Sequence, residues 1–557
     1  MPTSYYQAIP HLLEQIMAER PRSILDVGVG FGKYGLLCRE VLEVPFGRYH
    51  KEQWNVRIDG IEVYEGYRNP IHDHVYNQVY YGNVRDLLEK LPKYDIILLI
   101  DVLEHFPKEE GIALLHHLLR HTEKALIVST PLYPSLQGDY LGNIHETHRS
   151  RWHLLDFHLF ECSYHLIKTS DGGAQIFTFA PPGENTELEV DRIWEQKSVR
   201  GTKRLTVGYL LPHRHLTGGM KILLEHMYHL KRRGHRIHAF YVGEPGDSVL
   251  PSWTNVETDE AVLIPKGQSV FPYFEHCDIA VLGWISQLEG SQNSRVPLLY
   301  LEQGYPWLFN DVEPGRFAAV RTSLRALYAE PVAIASVSPV LANILKCRFG
   351  RTSTVIPNGI DTKCFHPGQP PSNGTILLVG APGERFKGFE LALRSLQLVW
   401  NAGWRFNVLW VCQSPPKLNG FSFPIKFIVN PPQSELPLWY RQADFLLFSS
   451  EYEGFGLPPL EAMASGIPVV STKCGGISVY AEHGTNALLS EPGDIGTLAE
   501  HIIYLLQDQG VRQQMGERAR NHALKFDWSQ IVPRLEKALR KVALYGASEP
   551  DDRHHDR

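Results

Sequence analysis

Cysteine is scarce. The seven in this chain of 557 residues (Cys38, Cys162, Cys277, Cys347, Cys364, Cys412 and Cys474) stand one by one, with no CxxC pair and no spacing that assembles a zinc centre. That usage suits a reducing cytosol, and no metal is expected from it. An excess of charge is also missing: 55 Lys and Arg face 61 Asp and Glu, a net charge of -6, which offers no bulk attraction to phosphate backbones and argues against nucleic acid as the main partner. Long apolar runs are absent too. The most apolar stretch, Ile96 to Ile100, lies between Asp95 and Asp101 and is far shorter than a bilayer span, so any membrane contact is expected to be peripheral. The opening MPTSYYQAIPHLLEQIMAERP has no basic region followed by an apolar one. It reads as an amphipathic helix ended by Pro21 rather than a secretion signal. The chain shows no short repeat of solenoid length.

With 43% hydrophobic, 21% charged and 11% aromatic residues the chain reads as globular. Its length exceeds one hydrophobic core and suits about three or four domains of ordinary size. From residue 22 short apolar runs alternate with helical patterns: SILDVGV, VRIDGIEV, YDIILLIDV and ALIVST. That rhythm predicts parallel strands joined by crossover helices, with HLIKTSDGG and AQIFTFAPP as a closing antiparallel pair. The polar stretch 183–203 predicts a surface linker. A second α/β series (RLTVGYLLP, RIHAFYV, DIAVLGWI, VPLLYLEQG, VAIASVS, STVIPNG) and a third (TILLVGAPG, FNVLWVC, IKFIVN, FLLFSS, IPVVST) follow it. The expected division is 1–182, a linker 183–203, 204–370, 371–545 ending in a long helix, and a frayed tail 546–557.

Two strings carry chemistry. In ILDVGVGFGKYG a strand runs into Asp26, Gly28, Gly30 and Gly32 before a helix, and the next strand ends at Glu62. Glycines there permit positive φ and close approach of a ligand, and a carboxylate at Glu62 can accept from both hydroxyls of a ribose. The pattern says nucleoside and leaves NAD and other adenosine ligands open. In SSEYEGFGLPPLEAMASGIPVVSTKCGG, Glu453 and Glu461 are separated by seven residues. Between them lie the turn Gly454-Phe455-Gly456 and a helix begun by Pro458 and Pro459. A glycine turn entering a helix N-terminus offers free N–H groups and a favourable dipole to a diphosphate.

The first string, with Gly82-Asn83-Val84 and Asp101-Val102-Leu103-Glu104-His105-Phe106 after the following strands, resembles the class I S-adenosylmethionine-dependent methyltransferases over roughly residues 20–180. The resemblance implies S-adenosylmethionine as cofactor. Asp26 and the glycine turn would face its methionine part, Glu62 its ribose, and Asn83 or Asp86 its adenine, with Asp101 opening the loop above; many members carry Asp where Asn83 stands. The loop YLGNIHETHRSRWHLLDFHLF offers His145, Glu146, His148, Arg149 and Trp152, and His148 is the expected base for the acceptor proton.

The second string resembles the E-x7-E signature of the retaining GT-B glycosyltransferases of family 4, group 1, and the likeness extends from about Arg204 to Leu544. It implies a nucleotide-diphosphate sugar as donor, bound by Gly218 and Gly219 from one half and by Gly454, Phe455, Gly456 and Glu461 from the other. Asn358, Gly359 and Asp361 would lie at the hinge. Lys387 and Arg385 would offset the departing diphosphate without a metal, and Glu453 would stand beside the sugar. Two positions depart from the family: Ala381 follows Gly380 where Arg is common, and Glu302-Gln303 replaces a frequent His.

The expected fold class is therefore α/β, a Rossmann-like methyltransferase sheet followed by a GT-B pair of Rossmann-like domains. The expected activity is bifunctional: retaining sugar transfer and methyl transfer in surface polysaccharide or glycoconjugate synthesis. The acceptor would be a glycan or lipid-linked glycan and the location cytoplasmic, at most on the inner face of the membrane. The alternatives are a sugar-binding half without catalysis and an NAD-binding first half.

Overall fold

The computed structural model describes residues 5–132, 138, 143–168, 172–182, 204–368, 374–418 and 420–545. The linker expected at 183–203 and the tail expected at 546–557 lie outside the described residues. By internal packing the chain divides into two compact units, Met1–Thr186 with Pro306–Ser323, and Glu187–Tyr305 with Leu324–Arg557. Among the described residues no helix is long and apolar enough to cross a membrane.

The first unit holds one seven-stranded sheet: β1 (Ser23–Val27), β2 (Arg57–Glu62), β3 (Gln78–Tyr81), β4 (Tyr94–Ile100), β5 (Thr122–Pro131), β6 (Cys162–Lys168) and β7 (Gly173–Phe179). The order is β3-β2-β1-β4-β5-β7-β6. β1 to β5 run parallel, while β7 pairs antiparallel with both β5 and β6. The last two strands are the antiparallel pair predicted from HLIKTSDGG and AQIFTFAPP. β4 is apolar almost throughout because a central parallel strand is covered on both faces. One face packs under the helices Ile9–Ala18 and Lys33–Leu42, with Leu12, Ile16, Cys38, Ile24, Ile58, Ile96 and Leu98 forming a shared core. Chain order reverses between β1 and β4, which opens a crevice beyond their carboxyl ends.

The segment Pro306–Ser323 joins this unit through specific bonds. The Asn310 amide donates to the Phe157 and Phe160 carbonyls at 3.0 Å each. The Val312 carbonyl accepts from the Tyr164 amide at 3.1 Å, and Arg321 pairs with Glu161 at 2.7 Å.

The second unit holds two parallel sheets. The first comprises β8 (Thr206–Leu211), β9 (Arg236–Gly243), β10 (Glu260–Pro265), β11 (Ile279–Leu282), β12 (Leu298–Glu302), β13 (Ala333–Ser336) and β14 (Thr354–Val355), ordered β10-β9-β8-β11-β12-β13-β14. The other comprises β15 (Thr375–Val379), β16 (Asn407–Cys412), β17 (Ile425–Val429), β18 (Phe445–Phe448), β19 (Val469–Thr472) and β20 (Ala487–Ser490), ordered β17-β16-β15-β18-β19-β20. The final helix, Trp528–Tyr545, returns from the second sheet to the first half. Its Trp528 ring stacks on His229 at 5.1 Å, and Glu536 pairs with Arg233 at 2.7 Å. Gly359 is required beneath it, since a Cβ there would lie 2.4 Å from the Trp528 ring.

Candidate functional site

In the first unit the glycine turn follows β1. Gly28, Gly30 and Gly32 have φ of 83°, 54° and 88°, in the left-handed region that a side chain resists. A Cβ on Gly28 would meet Val102 at 2.4 Å, whereas around Gly30 it would meet nothing within 4 Å among the described residues, so the floor of the crevice is open there. Glu62 accepts from the Gly30 amide and from the Tyr64 amide, at 2.8 Å each. Burial pushes its carboxyl upward against these bonds. Asp26 is 2% exposed and accepts from the Tyr76 hydroxyl at 2.6 Å. Burial pushes its carboxyl up to about 7, the Tyr76 bond working against that shift and the Glu62 charge adding to it.

Asp101 follows β4 with φ of 53°, a conformation costing about 1–2 kcal/mol in a residue with a Cβ. It is held there by β5: its amide donates to the Ser129 carbonyl at 2.9 Å, and its Oδ1 accepts from the Ser129 hydroxyl at 3.1 Å. Asn83, expected beside an adenine, is exposed and caps the helix Val84–Leu87 by accepting from the Arg85 amide at 3.0 Å. Trp152 is buried, stacked on Phe157 at 5.4 Å with its indole N–H on the Leu103 carbonyl.

His148 is brought against His105, ring centroids 5.1 Å apart, beside Glu104. The sequence motif around Glu104 and His105 assigns neither a role. The adjacent acid and imidazole after β4 were the available signal. Burial, with the Asp101 and Glu146 charges adding, pushes the Glu104 carboxyl well above the carboxylate range.

In the second unit two helix N-termini meet. Thr217 caps the helix Gly218–Arg232 by accepting from the Met220 amide, and a Cβ on Gly218 would lie 3.5 Å from Leu457, the first residue of the helix Leu457–Ala464. Both N-termini present positive dipole ends; at the second, Pro458 and Pro459 carry no N–H, so its amides come from the preceding turn Gly454-Phe455-Gly456 and from Leu457. Gly219 faces Gln303, whose amide donates to the Gly219 carbonyl at 3.2 Å. Gly454 lies against the Gln303 carbonyl, where a Cβ would be 2.0 Å away.

Glu453 and Lys387, 66 positions apart in the chain, form an ion pair of 2.6 Å. The Ser450 hydroxyl donates to the same Glu453 oxygen at 2.8 Å. The Glu453 backbone is clamped to Cys474 and Gly476, its amide donating at 2.7 Å and its carbonyl accepting at 2.9 Å. Arg385 pairs instead with Glu451 at 3.0 Å, both side chains partly exposed.

Two expected donor residues behave otherwise. The Phe455 side chain is buried against Tyr480 and Phe526, ring centroids 5.3 and 6.4 Å away, as an aromatic ring beside a core demands; only its backbone remains for a ligand. Glu461 is 3% exposed, and a carboxylate so buried needs partners. Lys221 of the first half supplies one at 2.9 Å and the Tyr440 hydroxyl another at 2.7 Å. Burial works against the Lys221 charge, but Glu461 outweighs it and holds the ammonium above the ordinary lysine range.

Residues 423–522, which contain both glutamates, match the family described as glycosyl transferases group 1. A D-inositol 3-phosphate glycosyltransferase of Corynebacterium diphtheriae is 33% identical over 135 residues, 24% of this chain and 32% of that protein. O-antigen chain mannosyltransferase B of Escherichia coli is 35% identical over 139 residues, 25% of this chain and 35% of that protein. The chain thus spans about a third of the length of these relatives. A sucrose-phosphate synthase from Thermosynechococcus elongatus is similar in fold, with a TM-score of 0.51 at 17% identity, covering 61% of this chain and 99% of that one. The second unit therefore carries a segment similar to the group 1 glycosyl transferases on a GT-B fold.

Proposed function

We propose that the second unit transfers a sugar from a nucleotide-diphosphate donor, with retained anomeric configuration, to a glycan or lipid-linked glycan acceptor. The observation that carries this reading is the ion pair of Lys387 with Glu453 beside the two converging helix N-termini. The amides around Gly218, Gly219 and Gly456 offer a place for the diphosphate. Lys387 offsets the charge that grows on it as the glycosidic bond breaks, with Arg385 on the same loop. Glu453, held by Ser450 and Lys387, orients sugar hydroxyls or stabilises positive charge at the anomeric carbon. Glu461 reaches a ribose only if Lys221 yields. The names of the relatives, an inositol-phosphate glycosyltransferase and an O-antigen mannosyltransferase, favour a role in polysaccharide or glycoconjugate synthesis.

The first unit, on the same proposal, binds S-adenosylmethionine and methylates a hydroxyl or related group. Its support is the sheet order with β7 reversed, the three left-handed glycines, and Asp26, Glu62 and Asp101 around one crevice. A cationic ligand would favour the ionised forms of Asp26 and Glu62, which burial alone disfavours.

A second reading, a glycan-binding half without catalysis, is favoured by Ala381, by Gln303 and by the engagement of Glu461 with Lys221. One experiment separates the two. The purified chain is screened with uridine, guanosine and adenosine diphosphate sugars for release of nucleoside diphosphate. Turnover that falls about 10²–10³-fold in Glu453→Gln and Lys387→Ala is expected. Binding of a donor without turnover in the unaltered protein refutes catalysis.

A further inference from the structure

Glu104 and His105 lie on the turn Leu103–His105 after β4, and His148 on the loop after β5. One carboxylate oxygen of Glu104 and one ring nitrogen from each histidine all lie within 4.8 Å of one another. Glu104 is 3% exposed, and its Oε2 has no hydrogen-bond partner among the described residues. An ionised carboxylate in such a place costs several kcal/mol unless a proton or a cation joins it. No lysine or arginine is paired with it among the ion pairs of the described residues.

The loop is built to hold this arrangement. The Glu104 carbonyl accepts from the Arg149 and Ser150 amides at 2.8 and 3.1 Å, which ties the His148 segment down beside it. His105 Nδ1 lies 3.2 Å from the Thr147 carbonyl, a contact that fixes the ring beside Glu104. A carbonyl on one ring nitrogen is the usual support of an imidazole that ligates through the other. A divalent cation would answer the unpaired carboxylate and use both imidazoles at once.

We propose that Glu104, His105 and His148 bind one divalent ion of the first transition row, zinc, manganese or iron in class. Two nitrogens and one oxygen suit these ions, whereas magnesium and calcium favour oxygen alone. Three protein ligands leave positions for water or a substrate hydroxyl, which gives up its proton more readily when bound to such an ion. His148 is then a ligand, not the free base expected from the sequence, and the expectation of no metal is set aside for this unit. The role in methyl transfer rests on the S-adenosylmethionine reading, but the site itself does not.

The test uses the full chain, stripped with dipicolinate and titrated with Co²⁺, whose visible d–d absorption reports nitrogen and oxygen ligation. About one equivalent is expected to bind, with affinity falling roughly tenfold or more in Glu104→Gln and in His148→Ala. His148 is only half-buried, so its variant keeps the test valid should Glu104→Gln fail to fold, as checked by circular dichroism. Absence of a Co²⁺ spectrum, or a spectrum that survives His148→Ala in folded protein, overturns the site. S-adenosylhomocysteine binding is measured by calorimetry on the same sample. A Co²⁺ spectrum without that binding leaves the metal site standing and refutes the methyl-transfer reading, and the reverse result refutes the metal site alone.

Discussion

Gly454 lies where the two halves of the second unit approach, and replacing it with alanine tests that approach directly. The added Cβ would stand 2.0 Å from the Gln303 carbonyl oxygen, 2.9 Å from its carbon and 3.3 Å from the Gly304 Cα. An ordinary carbon–oxygen contact needs about 3.2 Å or more, so one loop must retreat by roughly 1.2 Å. Neither is free to do so. Gln303 is bonded to the Gly219 carbonyl at 3.2 Å, and the Gly304 amide to buried Glu302 at 2.7 Å. On the other side Glu453 is clamped to Cys474 and Gly476, and Gly476 is itself pressed on Gly454, where its own Cβ would fall at 2.5 Å. The strain costs about 1–3 kcal/mol, typical of overpacking between backbones. Displacing Glu453 by about 1 Å from the opposing amides costs roughly 10²-fold in kcat/KM. Thermal melts and nucleoside diphosphate release, measured on Gly454→Ala beside Gly315→Ala, read both effects. Gly315 is the second residue of the helix Pro314–Tyr328, and a Cβ there meets nothing within 4 Å among the described residues, so that variant should be at least as stable and as active as the unaltered protein. A Gly454→Ala protein with unchanged Tm and kcat/KM within about threefold would refute the close approach of the two loops.

Two further outcomes follow from buried charge. Asp26 titrates near 7 when folded against an ordinary 3.8, so between these values the folded chain holds a proton that the unfolded chain has lost. Stability therefore falls as pH rises from about 4 to 7 and levels off above it, by at most roughly 4 kcal/mol. Asp26→Asn lacks this dependence, so its Tm should gain on that of the unaltered protein across the same window, and a difference that does not change with pH contradicts the assignment. Lys221→Met leaves Glu461 buried with only Tyr440, and a loss of about 3–5 kcal/mol is expected in denaturant melts. Adding Glu461→Gln should restore much of it, and additive losses would show that the two side chains do not interact.

Much of the fold was legible because central parallel strands are apolar on both faces. β4 and β8 stand out as continuous runs, and the chain between them supplies the turn residues. The strands that escaped notice were β3, β10 and β20, and each lies at the edge of its sheet. An edge strand is paired on one side and is short or partly exposed. QVYY and EAVLIP carry mixed polarity, and ALLS lacks β-branched residues, so periodicity has little to report there. The transfer of Pro306–Ser323 to the first unit was likewise invisible, since it depends on Asn310 and Arg321 meeting partners about 150 residues away.

Glu453 and Glu461 show where local spacing stops being informative. Eight positions apart and of one chemical type, both read from the sequence as ligand residues. Their environments differ because their cations come from different halves. Lys387 pairs with Glu453 within the same half and leaves it partly exposed, whereas Lys221 reaches across from the helix Gly218–Arg232 and helps bury Glu461. A ribose that binds Glu461 must compete with Lys221 for the same oxygen, and the Tyr440 hydroxyl already occupies the other. On the proposed donor reading, Lys221→Met, though less stable, should bind a nucleoside diphosphate more tightly than the unaltered protein if that competition governs access. Weaker binding in the folded variant would mean that Lys221 is itself part of the donor site.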